Sequence, residues 1–375
     1  MSVRLSHLSL RGFKTIHELV DFTPSPLNVL IGANGAGKSN FIAFFKMLSK
    51  MLSSPGELQL HVAQSGGASK FLYDGPGVTK QIEASLTLET EEGSNDYCFS
   101  LAHAAADTLI FTEEKCRFSG KERPTPYRWT QLGVGHKEAL INERADRREW
   151  PAWVIRALLN KCVVYQFHDT SPTSRIRHKW QTSDAWWLKQ DGANLGAFLL
   201  QLRESREEEK SLAYRRIVDT LQLIVPFFAD FELESENGTV ILRWREKGSD
   251  VAFDASQASD GMLRAFALVT LLGQPPNELP AVLLLDEPEL GLHPHAVSII
   301  SSMLRTASKH VQVILATQSA ALLDEFEPEN VVVVSRPERK TLFERKRSAE
   351  LKEWLEDYSL GDLWRKNLIG GNPGG

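Results

Sequence analysis

Stretches of alternating apolar and polar positions give way along the chain to stretches with an apolar period of three to four. Residues 3–10 and 17–23 alternate as half-buried strands do, and Leu27–Ile31 is a short apolar run leading straight into glycine-rich sequence. From Ser39 to about Leu52 the pattern predicts a helix, with Phe41, Phe44, Phe45 and Leu48 on one face. Alternating runs at 82–88, 97–101, 109–112 and 127–131, parted by glycine, proline and acidic breaks, predict an antiparallel β region. Then the period changes. Segments 137–148, 153–161, 194–203 and 208–225 predict helices, with a strand at 163–167, a loop at 168–173 and further strands over 228–254. The last third alternates helix 260–273, strand 281–286, helix 294–309, strand 311–316, helix 319–324 and strand 330–335, the order of a parallel sheet covered by helices. The glycine-rich tail, 369–375, is expected to be mobile.

Composition narrows the class without changing that picture. The 375 residues are 42% hydrophobic and 24% charged, as in a chain that buries a core, and the formal net charge of -5 restricts any nucleic-acid contact to a local basic face. Cys98, Cys116 and Cys162 show neither CxxC pairing nor partnered histidine spacing, so reduced thiols are expected. The first residues lack the apolar core of a signal peptide and the apolar runs are too short to span a bilayer, which predicts a cytoplasmic protein without membrane contact.

The sharpest chemistry is Gly-Ala-Asn-Gly-Ala-Gly-Lys-Ser at 32–39, a G-x-x-x-x-G-K-[ST] loop between an apolar strand and a helix. Its glycines let successive backbone N–H groups turn toward phosphate oxygens, and the helix N-terminus adds positive partial charge. Asn34, Gly35, Ala36, Gly37, Lys38, Ser39 and Asn40 are therefore expected to hold ATP, with Lys38 at the β- and γ-phosphates and the Ser39 hydroxyl on Mg2+. A second apolar strand ends in Asp286 and Glu287, which brings two carboxylates to the same edge. Asp286 is expected to hold Mg2+, and Glu287 to orient the attacking water as general base.

With those motifs in place the chain resembles the ABC-ATPase heads of the RecF, SMC and OLD (overcoming lysogenisation defect) group. The resemblance spans nearly the whole chain and is strongest over 1–50 and 255–335. It rests further on Leu8-Ser-Leu-Arg-Gly-Phe-Lys14 with Gly-Lys-Ser-Asn40, on Ala258-Ser-Asp-Gly-Met262 opening a helix like an LSGGQ signature, and on Glu289-Leu-Gly-Leu-His-Pro294 at the D-loop position. The resemblance implies an α/β P-loop NTPase: an ABC-ATPase head formed by 1–131 and 255–375, with an antiparallel β subdomain and an inserted, mainly helical lobe over 132–254. It also implies a head-to-tail homodimer around two ATP molecules, in which Ser259 and Gly261 reach the partner's γ-phosphate. Two departures stand out. Asp260 and Ala258 replace the usual glycine and leucine, and Gln318 takes the place of the switch histidine in Thr317-Gln-Ser319. An amide donates a hydrogen bond but carries no charge, so slow hydrolysis is expected. Gln166 and His168 both remain open as the Q-loop residue.

The expected role is an ATP-driven dimer that acts on DNA or gates a partner, in DNA repair or anti-phage defence. The alternatives are a transporter's nucleotide-binding subunit, and an ATP-sensing scaffold with little turnover. Basic stretches at 144–148, 175–179 and 336–347, the second followed by Trp180, Trp186 and Trp187, are candidate phosphate-backbone contacts. Too few residues follow Thr317 for the TOPRIM nuclease module of OLD proteins, given that a compact domain needs about 100. Cutting is therefore expected from a separately encoded nuclease or effector, docked near Trp354, Tyr358 and Trp364.

Overall fold

The computed structural model describes residues 3–122 and 128–372; Tyr127 of the strand expected at 127–131 and the end of the tail lie outside them. Two six-stranded sheets organise the chain. In the first, the order is Leu342–Arg345, Val331–Ser335, Leu27–Ile31, Gln312–Thr317, Val282–Asp286, Cys162–Tyr165. All neighbours are parallel except Leu342–Arg345, which runs against Val331–Ser335. Every residue of Leu27–Ile31, Val282–Asp286 and Gln312–Thr317 is buried, as strands covered on both faces require.

The second sheet is antiparallel, in the order Ile16–Phe22, Arg4–Phe13, Gln81–Glu89, Gly93–Ala104, Thr108–Gly120, Thr130–Gly133. Its strand Gln81–Glu89 alternates buried and half-buried positions along its length, the signature of a one-sided sheet. Helix Lys38–Ser53 fills the space between the sheets. Phe44 meets Phe13 and Phe99 of the antiparallel sheet at centroid distances of 5.8 and 6.4 Å, while other turns of the helix pack on the parallel strands. Gln312 fastens an inner strand of one sheet to an inner strand of the other: its side chain accepts from Leu5 N at 3.0 Å and donates to Leu5 O at 3.1 Å. Helices Leu195–Glu204, Glu208–Ile224, Asp260–Gly273 and Pro294–Ala307 cover the other face of the parallel sheet and build a second core with it.

Segment 132–254 shares its packing with the head. Helices Leu140–Asp146 and Ala152–Leu159 lie against the antiparallel sheet, and strand Cys162–Tyr165 pairs in register with Val282–Asp286 as the edge of the parallel sheet. The rest of the segment adds the two covering helices and a small sheet of Phe228–Phe231, Arg243–Glu246 and Ala252–Asp254.

The tail departs from expectation. Ile369 is buried, the Gly371 carbonyl accepts from Ala33 N at 2.7 Å, and the Asn372 amide donates to Trp364 O at 3.3 Å. Through Asn372 the glycine-rich sequence is therefore packed against the start of the 32–39 loop rather than mobile. Near it, Tyr358 and Trp364 pack on the core, while Trp354 is exposed.

Candidate nucleotide site

The loop 32–39 connects strand Leu27–Ile31 to helix Lys38–Ser53 at the carboxyl edge of the parallel sheet. Gly37 makes the turn possible. Its φ of +119° lies where side chains are strained, and a Cβ there would sit 2.3 Å from Thr341 Oγ1. Asn34 and Gly35 form an exposed tip. Ala36 is buried, and its carbonyl accepts from Thr341 Oγ1 at 2.9 Å. The Lys38 ammonium folds back to donate to Gly32 O at 2.6 Å and Ala33 O at 3.0 Å. Burial lowers the Lys38 pKa, and the nearby Glu287, Asp286 and Glu289 carboxylates oppose that shift. Ser39 is exposed at the start of the helix. The Asn40 side chain is already engaged, donating to Thr15 Oγ1 at 2.6 Å, so it ties the helix to the turn between the first two strands.

Strand Val282–Asp286 brings its acids to the same edge. Asp286 accepts from Gln166 Nε2 at 2.6 Å through Oδ2; its Oδ1 is buried with no hydrogen-bond partner among the described residues. Burial raises the Asp286 pKa, with His168 and the Gln166 hydrogen bond opposing. His168 Nε2 sits 2.8 Å from the Asp286 backbone carbonyl, so Gln166 reaches the carboxylate and His168 the main chain. Glu287 takes a left-handed φ of 43° and is pinned by its N–H to Ala316 O at 2.8 Å. The Gln318 amide donates to Glu287 Oε1, and Thr317 Oγ1 donates to Glu289 Oε1. Glu289 Oε2 is, like Asp286 Oδ1, buried and partnerless among the described residues, and burial raises the pKa of this carboxyl also.

Ser259 caps helix Asp260–Gly273, its Oγ accepting from Met262 N at 3.3 Å, and both Ser259 and Asp260 are exposed. Gly261 abuts the 287–293 turn so closely that a Cβ would lie 2.6 Å from Gly291 O. One turn further along this helix, Arg264 donates to His168 O at 3.0 Å, Phe167 O at 3.3 Å and Leu290 O at 3.2 Å. Helix Asp260–Gly273 thus grips both segments that pack beside Asp286.

A family model described as "AAA domain, putative AbiEii toxin, Type IV TA system" matches residues 27–147 and 168–324, well over half of the chain. The chain belongs to this AAA-domain family. The Old nuclease of Escherichia phage P2 is 21% identical over 401 residues, across 96% of this chain and 64% of that protein; the chain therefore spans 64% of the length of this curated relative. Among solved structures, an SMC head bound to the C-winged helix domain of ScpA superposes with a TM-score of 0.59 at 14% identity, covering 92% of this chain and 99% of that one. An Smc head with an extended coiled coil, bound to the C-terminal domain of ScpA derived from Pyrococcus furiosus, gives the same TM-score and identity over 95% and 99%. The fold is that of an SMC head, and the family is the AAA-domain one, with sequence similarity to the Old nuclease.

Three residues of this site, Lys46, Arg264 and Thr341, carry no separate signal in the sequence; Glu289 is marked there only as the first residue of the D-loop motif, and Arg177 only as part of the basic stretch 175–179. The basic stretch at 175–179 is corrected at one position. Arg177, expected on a phosphate-binding surface, is turned inward with its side chain 10% exposed. It donates to Thr170 O at 2.8 Å, Ala258 O at 3.2 Å and the Ala255 carbonyl, and pairs with Asp260 at 3.2 Å. Arg175 pairs with Asp191 at 3.0 Å, Lys179 with Glu236 at 2.9 Å, Arg144 with Glu149 at 2.8 Å and Arg339 with Asp74 at 2.6 Å. Among the described residues no helix is long and apolar enough to cross a membrane.

Proposed function

We propose that the chain binds ATP with Mg2+, hydrolyses it slowly, and closes head to tail on a second copy of itself as it does so. The observation that carries this reading is the convergence of Lys38, Asp286, Glu287 and Glu289 on one loop, with two buried carboxylate oxygens left without partners. An orphaned oxygen such as Asp286 Oδ1 suits a hard cation that takes oxygen ligands. Asp286 and the Ser39 hydroxyl would hold Mg2+, which neutralises phosphate charge when bound. The N–H groups of Gly35, Gly37 and Lys38 would serve the phosphates, while that of Ala36 is spent on Ala33 O at 3.2 Å, and the Lys38 ammonium would exchange its carbonyl partners for phosphate oxygens. Glu287, held by Gln318, orients water for attack on the γ-phosphate. Ser259, exposed at a helix N-terminus, and the half-buried Gly261 beside it complete the site of the partner copy.

The output is action on DNA or gating of a partner effector, in repair or defence. A nuclease among the relatives supports this reading, as does an SMC fold of which two solved examples are bound to ScpA. The test is Glu287→Gln beside Lys38→Ala. Glu287→Gln should bind ATP, lose turnover and accumulate as a dimer in light scattering with ATP. Lys38→Ala should neither bind nor dimerise. A Glu287→Gln chain that stays monomeric with ATP bound would count against the paired-head reading.

A further inference from the structure

Helix Lys38–Ser53 carries a second lysine two turns beyond the phosphate loop. The ammonium of Lys46 donates to Gln166 Oε1, and the other end of the same amide, Nε2, donates to Asp286 Oδ2 at 2.6 Å. A carboxamide has one accepting end and one donating end. A cation on the first and a carboxylate on the second leave it a single orientation, because the flipped amide would set NH2 against ammonium and carbonyl against carboxylate. Both hydrogen bonds are charge-assisted, the stronger class. Two consequences follow for the pocket. The hard oxygen of Gln166 is held by Lys46, out of reach of a metal. A fixed positive charge also stands one amide away from Asp286, whose Oδ1 is the partnerless oxygen.

We propose that Lys46 is a positioning residue that acts through Gln166 to weaken divalent-cation binding at Asp286 in the nucleotide-free protein, so that the cation enters with ATP rather than ahead of it. This rests on the reading of Asp286 as the Mg2+ residue. Removing Lys46 takes away a like charge and frees an oxygen donor, and both changes strengthen cation binding. Phosphate charge brought by the nucleotide compensates Lys46 in the wild type, which makes the two ligands cooperative without any change of fold.

The probe is Mn2+ alone, titrated into the full chain without nucleotide and followed by the EPR signal of the free ion. Lys46→Met should bind Mn2+ about tenfold more tightly than wild type, as expected for one unit charge at short range in a protein interior. Lys46→Arg should match wild type, and Asp286→Asn added to Lys46→Met should remove the gain. Lys46→Gln, which keeps a hydrogen-bond donor but no charge, replaces Lys46→Met if the latter melts early in metal-free buffer. Mn2+ affinity that is unchanged or weaker in the neutral variants overturns the proposal. A fluorescent ATP analogue separates the two readings. If it binds wild type in a Lys38- and Mg2+-dependent way while the Mn2+ arm is flat, Lys46 is misread and the ATPase reading stands. If it does not bind at all, the ATPase reading falls and the Mn2+ arm still decides Lys46.

Discussion

Replacing Arg177 with methionine isolates what a buried cation does for the signature loop. The guanidinium is held by the carbonyls of Thr170, Ala255 and Ala258 and by the Asp260 carboxylate, and its side chain is only 10% exposed. Each hydrogen bond to a charged group contributes about 1.5–3 kcal/mol. Arginine's own desolvation offsets part of the sum and Asp260 is 62% exposed, so a net loss of about 1–3 kcal/mol is expected, the cost of leaving buried carbonyls without a donor. Arg175 is the internal control. It sits two residues away, 59% exposed, and pairs with Asp191 at the surface, so Arg175→Ala should change stability by about 0–1 kcal/mol. Urea denaturation of the two variants measures the contrast. Turnover adds a second axis. With Ala255, Ala258 and Asp260 released, Ser259 loses its fixed position, and a displacement of 1 Å in a catalytic element costs on the order of a hundredfold in rate. Binding of a fluorescent ATP analogue to the single chain should persist, because Arg177 touches none of residues 32–39. Equal destabilisation by both substitutions would refute the reasoning. So would a loss of ATP binding in step with turnover.

Gly261→Ala should destabilise by about 1–3 kcal/mol and reduce turnover more than ATP binding, since a Cβ placed 2.6 Å from Gly291 O forces the helix off the 287–293 turn; a melting curve superposable on wild type would show the contact to be slack. Asp286→Asn probes the cost of the ionised carboxylate. Burial raises the Asp286 pKa, so the folded chain binds this proton more tightly than the unfolded one. That contribution is complete below the unfolded carboxyl value of about 3.9 and is lost as pH rises through the folded value. In chelator at neutral pH the variant should therefore melt above wild type, with the gap closing in acid, and Mg2+ should stabilise wild type only. Earlier melting of the variant at neutral pH in chelator would reverse that sign.

What the sequence determined by itself is local in origin. The loop 32–39 is contiguous, its glycines answer to backbone geometry within a few residues, and the strand before it and helix after it follow from apolar period alone. Leu27–Ile31 and the helix over 260–273 lie where the pattern puts them. Continuous apolar runs also announce strands buried on both faces, which is why Asp286 and Glu287 were legible as acids delivered to a sheet edge. The tertiary structure decided whatever depends on residues remote in the chain. Lys46 and Gln166 are 120 positions apart, Thr341 and Ala36 are 305 apart, and no period or motif links either pair. The basic run at 175–179 shows the same limit. Arg175 and Arg177 look alike in sequence, yet one faces water and the other fills a cage of carbonyls that only the folded 255–260 loop supplies. The tail follows this rule too: its glycines predict mobility from chain entropy, but buried Ile369 and the bond between Ala33 and Gly371 hold it against the phosphate loop, a contact between the two ends of the chain that local composition has no means to encode.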